Sequence, residues 1–176
     1  MKSRVIDNPL DEDKIDLIID TALGEKVSLG KESNFYHRFT WTADEWMNNW
    51  IKPTVPEEGM WKFDYMNSSY NILYHNDIIE GNNGGLGCII PLEWENQDPQ
   101  TIMLKHWDTR RLMYCGEDRC EYVNTKEKAD FKCSELEEDL IFNWDRSKML
   151  IFDVTQLHTA SRFDNAWKTF FLGFLV

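Results

Sequence analysis

From Pro56 onward the sequence consists of short apolar runs separated by clusters of Asn, Asp and Gly, and this punctuation constrains the fold more than any other feature. Such clusters favour turns, whereas runs rich in β-branched and aromatic residues favour strands. The predicted strands are SYNILYH, LGCIIPLEW, TIMLKHW, LMYC, CEYVN, LIFNW, KMLIFDV, QLHTAS and KTFFLGFLV. A succession of many short strands predicts an antiparallel sandwich or barrel.

Two helices are predicted ahead of the strands. Asp11 is placed to cap the first, EDKIDLIIDTAL, whose apolar residues recur at helical spacing, and Gly24 is placed to end it. Thr42 and Glu45 form a candidate capping box for the second, ADEWMNNWI, which should stop before Pro53. We expect both helices to pack on one sheet of the β structure.

A length of 176 residues predicts one domain that can bury a core without disulfide or metal cross-links. Within this single domain, residues 1–176, we expect a helical amino-terminal part over about residues 1–60. A mainly β core should follow over about residues 65–176, with an insertion over about residues 109–138. The chain shows no repeat and no linker that would divide it.

The net charge of −12 arises from 31 Asp and Glu against 19 Lys and Arg. Such a charge repels polyanions at long range, so we expect neither nucleic acid nor an anionic membrane as a partner. A small-molecule or peptide substrate is the expected partner instead. The amino terminus lacks the apolar core of a signal peptide, and no run approaches the roughly 18 apolar residues of a membrane span. We therefore expect a cytoplasmic protein.

One pair of polar residues ends an apolar run in a way that suggests metal binding. His75 and Asp77 are two apart on a predicted strand, so their side chains face the same way. Two His and one carboxylate can fill one face of a metal and leave the other open, and His158 is the natural third ligand. A second pair, His106 and Asp108, has the same spacing and stays open as an alternative.

A lysine in the last predicted strand is the second unusual feature. Lys168 shares a strand face with Phe170, Leu172 and Phe174, where a charge requires an anionic partner. Thr169 should point to the opposite face. Arg162 is a less favoured alternative to this cation.

Together, the order of His75-x-Asp77, GLGCIIPLEW, TIMLKHW, WDRSKMLIFDVTQLHTASRF and Lys168 resembles the iron(II)- and 2-oxoglutarate-dependent oxygenase superfamily. More narrowly, it resembles compact bacterial and phage members. The resemblance implies a double-stranded β-helix, a cupin-like jelly roll of eight core strands with a metal at its mouth. It further implies that His75, Asp77 and His158 hold Fe(II) and that Lys168 pairs with the distal carboxylate of 2-oxoglutarate.

The function that this resemblance implies is a dioxygenase. We expect hydroxylation of a C–H bond in an unidentified substrate, with 2-oxoglutarate converted to succinate and CO2. Two alternatives remain open. One is a jelly-roll binding module without catalysis, and the other is a cupin-type metalloenzyme that does not use 2-oxoglutarate.

The remaining motifs carry weaker predictions. Cys115, Cys120 and Cys133 lie in the insertion without the CxxC or CxxH spacing of a zinc site, so we expect reduced thiols. The segment 78–87, which includes GNNGGLG, lacks the Lys of a phosphate loop and is predicted to be a lid. Four tryptophans are candidates for lining a substrate mouth: Trp46, Trp50, Trp61 and Trp107.

Overall fold

The computed structural model describes residues 2–23, 35–68, 73–78, 84–95, 98–160 and 167–176. Its helices are α1 (Glu12–Leu23) and α2 (Trp41–Ile51), with a 3₁₀ turn at Cys133–Glu135. The strands are β1 (Arg4–Asp7), β2 (Phe35–Arg38), β3 (Trp61–Ser68), β4 (Leu86–Trp94), β5 (Gln100–Trp107), β6 (Leu112–Gly116), β7 (Arg119–Tyr122), β8 (Glu138–Asn143), β9 (Lys148–Asp153), β10 (Gln156–Ala160) and β11 (Lys168–Leu175). None of the described helices is long and apolar enough to cross a membrane.

The strands form two facing antiparallel sheets. The major sheet has the order β1-β9-β4-β11-β3-β2, and the minor sheet contains β10-β5-β8. The segment around His75 bridges to His158 of β10 on one side and to Met113 of β6 on the other, so the β6-β7 hairpin extends the minor sheet. Four core strands in each sheet, with the His75 segment as one of them, make a double-stranded β-helix, and the predicted fold is confirmed.

The last strand, β11, lies in the middle of the major sheet between β3 and β4, as its apolar pattern predicts. Its side chains alternate between two cores. Phe171 packs edge-on against Phe39 on the face that the helices cover, at a ring-centroid distance of 5.1 Å. Phe170 points between the sheets and contacts Trp144 at 5.3 Å. Full burial of such a side chain contributes about 1.5 to 3 kcal/mol to stability.

The two predicted helices are present, and one start is corrected. Asp11 caps α1 by accepting a hydrogen bond from the backbone N–H of Lys14 at 3.0 Å. Gly24 lies outside the described residues. For α2, the predicted cap at Thr42 is wrong, because Thr40 has the extended backbone and its hydroxyl accepts from the N–H of Ala43. Thr42 instead lies in the first turn.

Three strands were not predicted: β1, β2 and β3. The strand β3 is a core strand that pairs with β11 along its whole length, from Trp61 to Ser68. Edge strands β1 and β2 lie in the part predicted to be helical. The predicted strand over residues 69–75 lies partly outside the described residues, and its described end pairs only through His75.

Candidate metal centre

Two imidazoles are brought together by backbone pairing. The N–H of His75 donates to the carbonyl of His158 at 2.9 Å, and the N–H of His158 donates to the carbonyl of His75 at 2.8 Å. Residues that exchange both bonds stand directly opposite each other, so their side chains share one face of the sheet. The two ring centroids are 4.2 Å apart.

Asp77 is fixed beside the two rings by its own backbone. Its N–H donates to the carbonyl of Val154, in the turn between β9 and β10, at 3.0 Å. Its Oδ1 lies 3.6 Å from Nε2 of His75, and its Oδ2 lies 3.5 Å from Nε2 of His158. These separations are longer than hydrogen bonds. The three side chains, hereafter the triad, therefore surround a common point and are not bonded directly to one another.

Each imidazole of the triad is oriented by its second ring nitrogen. Nδ1 of His75 lies 2.7 Å from the carbonyl of Leu73, and Nδ1 of His158 lies 3.1 Å from the carbonyl of Gln156. A carbonyl oxygen can only accept, so each Nδ1 carries the hydrogen and each Nε2 presents its lone pair to the triad centre. This is the usual outer contact of a metal-binding histidine.

Burial and the neighbouring His158 lower the pKa of His75 to about 4, although Asp77 acts in the opposite direction. At neutral pH the ring is therefore uncharged and able to donate its lone pair. All three ligand atoms lie within 4.8 Å of one another. Donors at right angles around an ion, with bonds of about 2.1 Å, are about 3 Å apart. The residues present thus fit a divalent metal such as iron.

A residue that the sequence did not single out anchors this segment. Asn76 is buried, and its side chain makes three hydrogen bonds to the start of the insertion. Its Oδ1 accepts from the N–H of Leu112 at 2.9 Å, and its Nδ2 donates to the carbonyls of Asp108 and Arg110 at 3.2 and 3.0 Å. The residue between two triad members is thereby tied to a loop more than thirty positions later. The sequence offers no signal for these partners beyond the polar character of Asn76.

Lys168 lies between the two sheets, as its strand face predicts. It is 6% exposed, and its Nζ is 5.0 Å from the centroid of the Trp144 ring. Burial lowers the pKa of Lys168 to about 8. Its charge also contributes to lowering the pKa of His75, so ammonium and triad interact electrostatically. On the opposite face, Thr169 lines a separate cleft.

That cleft, of about 580 Å³, lies between α1 and the helix-covered face of the major sheet. Its walls include Ile15 and Ile19 of α1 and Tyr65 of β3, but no triad residue. This cleft therefore does not mark the metal centre, which is located by the arrangement of donor atoms.

The alternative pair is not brought to His158. His106 packs against Phe131 with ring centroids 4.2 Å apart, and Asp108 accepts from the Tyr122 hydroxyl at 2.9 Å. Among the described residues, the triad is the group of three side chains whose ligand atoms converge. Arg162 lies outside the described residues.

Two expectations about the surroundings need correction. Trp61 is buried between the helices and the major sheet, and Trp46 and Trp50 are partly buried against this core, so their assignment to a substrate mouth beside the triad is wrong. Trp107 is exposed at the end of β5. Leu86 and Gly87 belong to β4 and not to a lid, and the central part of that segment, residues 79–83, lies outside the described residues.

The fold and the triad together define a class: a double-stranded β-helix with two histidines and a carboxylate whose ligand atoms converge. No protein-family model matches the chain, and no curated protein matches it significantly. Solved structures do match it. One is an oxidoreductase of the 2OG-Fe(II) oxygenase family from Burkholderia pseudomallei, with a TM-score of 0.57 and 8% identity over 98% of this chain and 84% of that one.

Two further neighbours have the same architecture. The viral collagen prolyl hydroxylase of Paramecium Bursaria Chlorella virus-1, solved in complex with 2-oxoglutarate, has a TM-score of 0.54 and 10% identity over 99% of this chain and 95% of that one. The non-heme α-ketoglutarate-dependent epimerase SnoN of nogalamycin biosynthesis has a TM-score of 0.60 and 10% identity over 98% of this chain and 78% of that one. The fold is that of the 2-oxoglutarate and iron(II) oxygenases, which confirms the resemblance at the level of the fold.

Proposed function

We propose that this protein is an iron(II)- and 2-oxoglutarate-dependent oxygenase that hydroxylates a C–H bond. The observation that carries the proposal is the convergence of two Nε2 lone pairs and one carboxylate at the triad, in a fold shared with such enzymes. The ligands are His75, Asp77 and His158. The backbone of each ligand residue is fixed by a hydrogen bond within the fold, which favours a preorganised site.

The proposed role of Lys168 is to bind the distal carboxylate of 2-oxoglutarate. Its ammonium lies in the same interior as the triad, among aromatic side chains that exclude water. A bound carboxylate would hold the ammonium in its charged form and raise its pKa again. Lys supplies a point charge and not the planar fork of Arg, so it fixes the carboxylate through fewer bonds.

When bound, iron and 2-oxoglutarate supply the oxidation of an unactivated C–H bond, with succinate and CO2 as co-products. The protein would position iron, 2-oxoglutarate and the substrate and would supply the charges and apolar surfaces around them. Asp77 gives the site a carboxylate where a halogenating site would need room for a halide, which favours hydroxylation. One neighbour is an epimerase, so the fold by itself does not select the reaction, and the product must be identified.

The proposed substrate is a small molecule or peptide, and not a nucleic acid, because the chain carries a net charge of −12. Apolar surface lies beside the triad. Leu73 and Met113 flank His75 along the chain and across the sheet, and both are exposed. A substrate with an apolar part next to its reacting carbon fits this surface. We propose that the protein acts in the cytoplasm.

The proposal is tested by calorimetric titration of 2-oxoglutarate into the manganese-loaded protein without oxygen. We expect Lys168→Met to weaken binding by a factor of about ten to a thousand, from roughly 1.5 to 4 kcal/mol for a buried charged hydrogen bond. Manganese affinity should stay the same, because the ligands are untouched. Lys52→Met, at an exposed position, is the matched control and should bind like the wild type. Equal affinities for 2-oxoglutarate in all three proteins would show that Lys168 does not bind its carboxylate.

A further inference from the structure

Two cysteines of the insertion lie side by side. Cys120 is in β7, Cys133 begins the 3₁₀ turn, and their Sγ atoms are 3.3 Å apart. Both are buried, with exposures of 0% and 2%. The other two cysteines behave differently: Cys88 is buried in β4, and Cys115 is partly exposed and hydrogen-bonds to the carbonyl of Arg119.

The backbone holds this pair together over thirteen positions of sequence. The N–H of Ala129 donates to the carbonyl of Cys120 at 2.8 Å, and the N–H of Cys133 donates to the carbonyl of Asp118 at 2.9 Å. The N–H of Ser134 donates to the carboxylate of Asp118 at 2.9 Å. The loop between the thiols is therefore closed at both ends before any covalent bond forms, and little closure entropy remains.

We propose that Cys120 and Cys133 are a redox site that forms a reversible disulfide. Both S–H bonds break and one S–S bond forms, with release of two protons and two electrons. The oxidant is a small disulfide of the glutathione class, which takes up the electrons and is reduced to two thiols. The sulfur atoms have to close from 3.3 Å to the roughly 2.0 Å of an S–S bond.

The roles of the two sulfurs differ. The contact between the two sulfurs lowers the pKa of Cys133, while the same contact and burial raise the pKa of Cys120. Cys133 is thus the attacking thiolate and forms the mixed disulfide. Cys120 then loses its proton and attacks the Cys133 sulfur, which releases the small thiol. Local opening of the loop that carries Cys133 gives the oxidant access to the pair.

The site lies next to the triad segment. The Cys120 sulfur is 3.8 Å from the carbonyl of Tyr74, which also accepts from the N–H of Tyr114 at 2.8 Å. Tyr74 directly precedes His75. A disulfide would therefore fix the hairpin that pairs with the segment carrying two triad residues. The redox proposal itself does not depend on the proposed function.

The test uses the full chain, free of metal, in buffers of defined reduced and oxidised glutathione. Equilibrium is reached both from the folded protein and by refolding from urea, so slow access cannot hide the result. We expect peptide mapping of alkylated protein to show Cys120 joined to Cys133, with a mass lower by about 2 Da. Amide exchange over residues 112–136 should slow by roughly tenfold in the oxidised form.

Matched variants assign the bond. Cys120→Ser and Cys133→Ser should each abolish the mass loss, whereas Cys88→Ser and Cys115→Ser should keep it. The wild-type map decides the question without any variant, so a variant that fails to fold does not obscure it. Four free thiols in excess oxidised glutathione, or a disulfide that involves Cys115, would overturn the proposal.

Discussion

At the scale of single residues, the candidate site is organised by hydrogen bonds that direct both histidine Nε2 atoms to the triad centre. Both triad histidines use the same device, an Nδ1–H directed to the carbonyl two residues earlier. The two-residue spacing of His75 and Asp77 predicted that they face the same way, whereas their meeting with His158 depends on backbone pairing between distant segments. The sequence could not predict Asn76, whose partners depend on where the insertion folds back.

Asn76→Ala tests this anchor. The change leaves the N–H of Leu112 and two carbonyls without their partner, so we expect the free energy of unfolding to fall by about 1 to 3 kcal/mol. Manganese affinity should fall by about 10- to 100-fold, because supporting contacts orient the ligands. Asn143→Ala, at an exposed position, is the control for the loss of an amide. Unchanged metal affinity in Asn76→Ala, measured by calorimetry, would show that the anchor supports folding alone.

Lys168 gives a pH-dependent prediction. Burial lowers its pKa from 10.5 to about 8. Below pH 8, Lys168 is therefore charged in both the folded and the unfolded chain, and the folded state bears the full cost of burying the charge. Between these two values the unfolded chain holds more protons, and rising pH stabilises the folded state. From pH 7 to pH 10, the free energy of unfolding of the wild type should rise by about 2 to 3 kcal/mol relative to that of Lys168→Met.

The measurement is urea unfolding of both proteins across this pH range, without metal or 2-oxoglutarate. Lys52→Met serves as the exposed control and should follow the wild-type curve. Parallel curves for wild type and Lys168→Met would mean that the ammonium is not desolvated.

At the scale of elements, the sequence predicts strands well where apolar patterns are strong. The central strand β11 and its neighbour β4 are predicted almost to the residue, because both are buried on two faces. Edge strands β1 and β2 are four residues each, and their pairing with distant strands creates them. The predicted start of α2 is two residues too late because both Thr40 and Thr42 are suitable N-cap residues. The extended backbone at Thr40 makes that residue the cap.

Gly173→Ala tests the packing of β11. A Cβ at this position would lie 2.5 Å from Cε1 of Phe63 and 2.6 Å from Sγ of Cys88, both in the buried core. Neither neighbour has space to move away, so we expect a loss of about 1 to 3 kcal/mol in unfolding free energy. Gly84→Ala is the control, since nothing lies within 4 Å of its Cβ position. Equal urea midpoints for the two variants would contradict the described packing.

At the scale of the whole molecule, the chain is built in layers: helices, major sheet, interior and minor sheet. The triad and Lys168 lie on the interior side, and the charge-bearing helices lie on the other. The resemblance carried by the order of motifs implied the β-helix with the metal ligands in it, although the core strand β3 was not predicted. The substrate was not predictable, since the loops that would contact it carry no recognisable chemistry.

The central claim is tested most directly by mass spectrometry of succinate formed from 2-oxoglutarate, with and without Fe(II), over a library of amino acids, nucleosides and peptides. We expect iron-dependent succinate that rises with the true substrate and disappears in Asp77→Ala and His158→Ala variants that remain folded. Succinate formation by the folded wild-type protein that is no greater with iron than without it, for every candidate, would contradict the account.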